Sequence, residues 1–207
     1  MSAERSGSTT WRSPVADAVG RLLRSAQEGE AAGDVSKRVR ISKFARFAGK
    51  DAPVDLTVDL LGLLASAGYK PYASASADGL TRRERNAGIV LSLYAAAPRG
   101  SYAETGASMG AVLADLRASD PMWNREPTAF EGVLTPIMRA DSKEALVWAL
   151  KNAIRRIPDS MKIDYPLLVD DLTRFDKGEK VIVRWARDYY AQDYKNHVKE
   201  TKDSKEN

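Results

Sequence analysis

The sequence predicts an all-α protein: about nine helices in a compact bundle, with no sheet. Three observations lead there. Apolar residues recur at three- and four-residue spacing along most of the 207 residues. Ser, Thr, Asp or Pro stands where most of those runs begin, and Gly or Pro where they end. No segment sustains the apolar–polar alternation of a strand between turn signals. With 43% hydrophobic residues there is enough apolar surface for a core, and with 29% charged residues most helices have a wet face.

Residues 1–12 are Ser/Thr/Gly-rich and read as disordered. Ser13-Pro14 then caps and opens a first helix, with Val15, Val19, Leu22 and Leu23 at helical spacing. Asp34 is placed to cap a second helix running to about Ala48, where Gly49 stops it. A third runs from about Asp55 to Ala67; Leu56, Leu60, Leu61, Leu63 and Leu64 form its buried face, and Gly68 ends it. Residues 69–80 form a loop that is long for a compact domain. A fourth helix, Thr81 to Ala97, is apolar on every side from Ile89 onward, which marks it as the central buried helix.

A fifth helix spans about Gly106 to Arg117, with Met109, Val112, Leu113 and Leu116 inward. Trp123, in the next loop, is either an exposed aromatic or a plug over the core. Pro127 opens a sixth helix with Phe130, Val133, Leu134, Ile137 and Met138 as its core face, and Pro136 implies a kink or short break. Asp141 and Glu144 read as a capping-box pair for a seventh, which buries Leu146, Leu150, Ala153, Ile154 and Ile157. Lys151 and Arg155 lie on its opposite face with Trp148 between them. Asp164 caps an eighth helix with Pro166 in its first turn; Leu167, Leu168, Leu172 and Phe175 are its buried side. After Lys177-Gly178 the last helix buries Ile182, Trp185, Ala186 and Tyr189 and exposes Arg184, Arg187 and Lys195. The Val/Ile run at 181–183 is β-prone, but the helical period on either side overrides it. The expected organisation is one helical domain, 13–198, divisible into sub-bundles 13–117 and 127–198, with a charged, frayed tail at 199–207.

Composition excludes several chemistries. With no cysteine there is no disulfide framework, thiolate zinc site or cysteine nucleophile, which fits a reducing, cytoplasmic setting. The single histidine, His197, sits near the end, where a satisfied or exposed histidine is the ordinary reading. No apolar run approaches the ~18 residues of a membrane span, and the polar N-terminus does not read as a signal peptide. There is no phosphate-binding Gly-rich loop, dinucleotide fingerprint or His-Glu-x-x-His. Clustered carboxylates would suggest a metal-dependent nuclease. Asp170-Asp171 are adjacent and so point about 100° apart on a helix, and Asp141-Ser-Lys143 is a common tripeptide. Asp141 as a cap and Asp170/Asp171 as partners of Arg174 or of a neighbouring protein are the simpler readings. No metal, cofactor or small-molecule substrate is expected.

What remains is binding. Net charge is +4, and the excess lies in residues 1–119, with sixteen Lys/Arg against twelve Asp/Glu; residues 120–207 hold sixteen of each. Three basic clusters stand out: Lys37, Arg38, Arg40, Lys43 and Arg46, continuing to Lys50; Arg139 with Lys151, Arg155 and Arg156; and Arg82, Arg83 and Arg85. Each suits nucleic-acid phosphates or is a solvated helix face. The third group opposes the macrodipole at a helix start, which hints at a use beyond local stability. Trp148, between bases, can stack on a nucleobase or pack on a partner subunit.

The C-terminal third adds a resemblance. Leu150–Ile154, Ile163-Asp164-Tyr165, Leu168, Asp171-Leu172-Thr173-Arg174-Phe175 and Arg184-Trp185-Ala186-Arg187-Asp188-Tyr189-Tyr190 resemble, in order and spacing, the small-subunit (CasB) family of the type I-E CRISPR surveillance complex, Cascade. Thinner agreement runs upstream through Gly33-Asp34, Leu91-Ser-Leu-Tyr94, Thr105-Gly-x-Ser108 and Arg139-Ala-Asp141. The resemblance implies a non-catalytic helical subunit that works beside a second copy of itself and the other Cascade subunits. It implies sequence-independent backbone contacts to guide RNA and target DNA that stabilise the R-loop. By the same likeness Arg40, Arg139 and Lys151 fall on the family's basic positions. Thr128-Ala129 depart from a basic stretch that the family often has before Phe130. The competing expectation is a helical adaptor with no nucleic-acid role.

Overall fold

The computed structural model describes residues 12–46, 53–71, 79–97, 101–120, 122–123 and 127–203. Of residues 1–12, expected to be disordered, all but Arg12 lie outside these, as do Phe47 to Lys50, the middle of the 69–80 loop and the last four residues; Arg12 is held by Glu104 and Asp164 at 2.7 and 2.8 Å. Among the described residues nine α-helices follow in order: α1 (Pro14–Ala31), α2 (Ser36–Ser42), α3 (Val54–Ser66), α4 (Arg82–Ala96), α5 (Met109–Ser119), α6 (Pro127–Met138), α7 (Lys143–Ile154), α8 (Tyr165–Phe175) and α9 (Val181–Asp203). A 3-10 turn, Lys43–Arg46, extends α2. The described residues contain no strand; Tyr102 and Ile163 form an isolated parallel bridge. None of these helices is long and apolar enough to cross a membrane.

The caps explain most boundaries. Ser13 accepts the Ala16 N–H, as its place before Pro14 predicts. It also does a second job: its N–H and hydroxyl donate to Asp170, at 3.2 and 2.6 Å, tying the start of α1 to α8. Thr81 and Glu84 form a full capping box at α4. Glu84 also accepts from the Tyr69 hydroxyl at 2.9 Å. This buried acid in the first turn offsets the adverse charge of Arg82 and Arg83 against the macrodipole. Gly68, with φ +83°, closes α3 by letting the Tyr69 N–H reach the Leu64 carbonyl at 3.0 Å.

Several boundaries differ from expectation. α2 ends as an α-helix at Ser42, because Ile41 and Phe44 are both fully buried and the three-residue repeat of a 3-10 turn keeps them on one side. Its N-cap is Val35; Asp34 instead accepts the Ser36 N–H at 2.9 Å. α5 starts at Met109, capped by Ser108, since Gly106 is left-handed at φ +69° and its N–H is held by Asp164. α7 is capped by Ser142, which accepts the Ala145 N–H, rather than by Asp141. α9 continues into the charged tail as far as Asp203. α6 runs through Pro136 without a break.

α4 is the hub. Every residue from Asn86 to Tyr94 is buried, and α1, α2, α3, α7, α8 and the 3-10 turn pack around it. α5 lies along α9, and α6 rests against α7 and α9. The helices before and after residues 118–127 therefore interleave in one hydrophobic cluster reaching from Val15 to Tyr189. Trp123 is the plug: it is buried with its ring 5.0 Å from that of Phe130.

The α8–α9 pair is locked through Asp171. The indole N–H of Trp185 donates to it at 2.7 Å. Arg184 pairs with it and Arg174 approaches within 3.7 Å. Burial pushes the Asp171 carboxyl up, against the pull of Arg184 and Trp185. Arg184, expected on the wet face of α9, is thus turned to a buried acid; Arg187 remains exposed.

Candidate nucleic-acid interface

The short α2 and its 3-10 turn send their bases in different directions. Arg38 points inward. Its guanidinium lies over the Tyr94 ring, 4.6 Å from the centroid, and donates to the Ala97 carbonyl at 3.3 Å. Glu30 stands 3.8 Å away, and the side chain is only 16% exposed. It is a strut between α2 and the end of α4. Lys37 is exposed and donates to the Ser25 hydroxyl. Arg40 is exposed, with no acidic partner among the described residues. Lys43 faces Asp59 at 3.7 Å, both at least half exposed, so water and salt screen the pair. The backbone of Arg46 ends the turn; its side chain and Lys50 are outside the described residues.

The second cluster divides. Arg155 and Arg156 are exposed at the C-terminal end of α7. Lys151, expected on the wet face, is half-buried and donates to the Ala45 carbonyl at 2.8 Å. Burial, and after it repulsion from Arg155, lowers its pKa. One of its three N–H bonds is used this way, which leaves the others for solvent or a ligand. The contact bolts α7 to the 3-10 turn that follows α2. Arg139, exposed after α6, lies at the other end of α7, roughly 18 Å along the helix.

The third cluster lies elsewhere. Arg82 and Arg83 open α4, roughly 20 Å of helix from the Arg38 end. With Tyr69, Thr81, Thr173 and Lys177 they line a separate cleft of about 280 Å³. Nothing in the sequence singles out Lys177; its position after α8 reaches this cleft only through tertiary packing. Nearby, Lys143 forms a 2.8 Å ion pair with Asp176, and burial lowers its pKa.

A further cleft, again about 280 Å³, lies between α6 and α7. Trp148, 64% exposed, stands in it with Asn152, Arg155 and Arg156. Asn152 carries no signal in the sequence beyond its spacing of four from Trp148. The acids considered for metal chemistry are otherwise engaged or apart: Asp170 holds Ser13, Asp171 holds Trp185 and Arg184, and Asp141 is exposed at the start of α7.

The sequence model for the CRISPR-associated protein Cse2 matches residues 40–190, from the second half of α2 into α9. The chain belongs to the Cse2 family. The match opens at Arg40 and takes in Lys43, Arg82, Arg83, Arg139, Lys151, Arg155 and Arg156, leaving Lys37 and Arg38 outside. Solved structures carry the same fold. A CasB from Thermobifida fusca aligns at a TM-score of 0.62 and 20% identity, covering 86% of this chain and 99% of its own. A CasB from Thermus thermophilus gives 0.56 and 21% over the same shares. A second Thermus thermophilus structure, of a CRISPR-associated protein of the Cse2 family, gives 0.57 and 21%, again over 86% and 99%. No curated protein sequence matches the chain. The Cse2 fold thus extends over most of this chain.

Proposed function

We propose that this Cse2-family chain is a non-catalytic subunit of an RNA-guided CRISPR surveillance complex, Cascade, and that it binds nucleic-acid backbone to stabilise the R-loop formed by guide RNA and target DNA. The observation that carries this reading is the Lys151–Ala45 contact. It ties the 3-10 turn after α2 to α7, which supports reading Arg40, Lys43, Lys151, Arg155 and Arg156 as one basic surface. Backbone binding needs such a surface and little else, and leaves sequence reading to the guide. Arg82 and Arg83, with Lys177, offer a second basic patch for a strand or a neighbouring subunit, and Arg139 stands apart from both.

The test is salt-dependent binding of single-stranded and duplex DNA by the purified chain. Arg40→Ala and Arg155→Ala/Arg156→Ala each weaken binding on any sequence. They also flatten the slope of log affinity against log salt, by about 0.7–0.9 for each phosphate that is no longer neutralised. Unchanged affinity and slope in these variants overturn the assignment.

One observation favours a helical adaptor as the second reading. α9 exposes Val183, Tyr190, Tyr194 and Val198 on one side. Their spacing makes a stripe for another protein, and a chain that binds no nucleic acid yet still joins the assembly would support it.

A further inference from the structure

We infer that the cleft between α6 and α7 is a subsite for an unpaired nucleobase, with Trp148 as the stacking platform and Arg155 and Arg156 as the phosphate clamps. This rests on the backbone-binding reading above and adds to it a preference for single strands over duplex.

Exposure of the ring is the first observation. Trp123 and Trp185 are 7% and 0% exposed, whereas Trp148 leaves 64% of itself in water. The surroundings are the second. Pro136, Ala149 and Ala153 give the cleft a low apolar floor, and a methyl group added at Gly132 would meet nothing within 4 Å, so the space beside the indole is open to a flat ring. Polar groups are the third. Asn152 supplies a side-chain amide that can donate and accept. Pro136 has no N–H, so the Gly132 carbonyl lacks its usual helical donor. Both fit the mixed donor and acceptor edge of a base. Among the described residues no acid lines the cleft, and the charged residues that do are Arg155 and Arg156.

The chemistry favours nucleic acid over a protein segment. An acidic peptide would satisfy the arginines but would make no use of an open aromatic face beside an amide. A nucleotide uses all three: ring on ring, base edge on amide, phosphate on guanidinium. Trp148, Lys151 and Arg155 also share one side of α7 to within roughly 60°, so a strand tracking the basic surface passes the indole. Paired bases present no free face, which restricts the subsite to a single strand.

The experiment measures binding of the full chain to a single strand, to its duplex, and to a strand of equal length and charge carrying abasic sites. Trp148→Ala weakens single-strand binding about ten-fold, leaves duplex binding and the salt slope unchanged, and Trp148→Phe retains most of the affinity. The unmodified chain binds the abasic strand about ten-fold more weakly than the ordinary one, a comparison that needs no variant to fold. Arg155→Ala/Arg156→Ala weakens strand and duplex together and flattens the slope. Equal loss on strand and duplex for Trp148→Ala, no loss at all, or undiminished abasic binding overturns the subsite while leaving the backbone reading standing. A wild-type chain that binds neither strand nor duplex at low salt overturns both.

Discussion

Arg38 and Arg40 stand two residues apart on α2 and do opposite work. Arg38 lies over Tyr94 and holds the Ala97 carbonyl, whereas Arg40 is exposed. Arg38→Ala is expected to lower stability by about 1–2 kcal/mol, read from the urea midpoint, with the salt slope of DNA binding unchanged. Arg40→Ala should do the reverse. Glu104 sets an acid limit. Burial pushes its carboxyl up, but hydrogen bonds from Tyr102, Arg24 and Arg12 outweigh this and hold it at about 2. The folded value is below the ordinary 4.5, so the stabilisation is fully present above about pH 4.5 and is lost as pH falls towards 2. The melting temperature of the wild type should therefore fall more steeply than that of Glu104→Gln across this window, and the two should converge near pH 2. Parallel curves would mean that Glu104 contributes nothing to acid sensitivity.

At the scale of elements, the α5–α9 contact depends on a missing methyl group. A Cβ on Gly110 would sit 1.9 Å from the carbonyl oxygen of Trp185, a backbone atom that cannot swing aside. Gly110→Ala is expected to cost about 3 kcal/mol or more, because α9 must shift and carry Trp185 off Asp171. Gly62→Ala is the control. It lies in the interior of α3 with nothing within 4 Å of the added carbon, and should raise stability by about 0.5–1 kcal/mol through helix propensity alone. Denaturant curves on the two variants give both signs. If Gly110→Ala matched Gly62→Ala, the close approach of α5 and α9 would not exist in solution.

For the whole molecule the decisive feature is interleaving. α1 and α4 pack on α8, and α5 on α9, so early and late helices share one hydrophobic cluster. Unfolding is expected as one cooperative transition, with coincident far- and near-ultraviolet circular dichroism. Two separated transitions would mean that residues 13–117 and 127–198 fold as independent sub-bundles. The same packing joins Ala45 to Lys151, roughly 100 residues apart in sequence, because the 3-10 turn and α7 both pack on α4.

The sequence by itself determined the helices, several of their ends and the core. Ser13-Pro14, Gly68 and Asp164 act within one or two turns of where they stand, and the apolar period states which face of each helix is buried. The misplaced starts, Asp34 for Val35 and Asp141 for Ser142, come from neighbouring residues that compete for the same helix end. The family was legible too, through the Asp171–Phe175 and Arg184–Tyr190 runs, whose side chains lock α8 to α9. Tertiary structure alone decided which bases are on offer. Arg38, Lys151 and Arg184 read as solvated cations on amphipathic helices, and each is turned in by a partner distant along the chain or across a helix break: Tyr94, Ala45 and Asp171. A long cationic side chain buries its stem readily and keeps only its head polar, so its direction is set by the carbonyl, ring or carboxylate that the fold brings within reach.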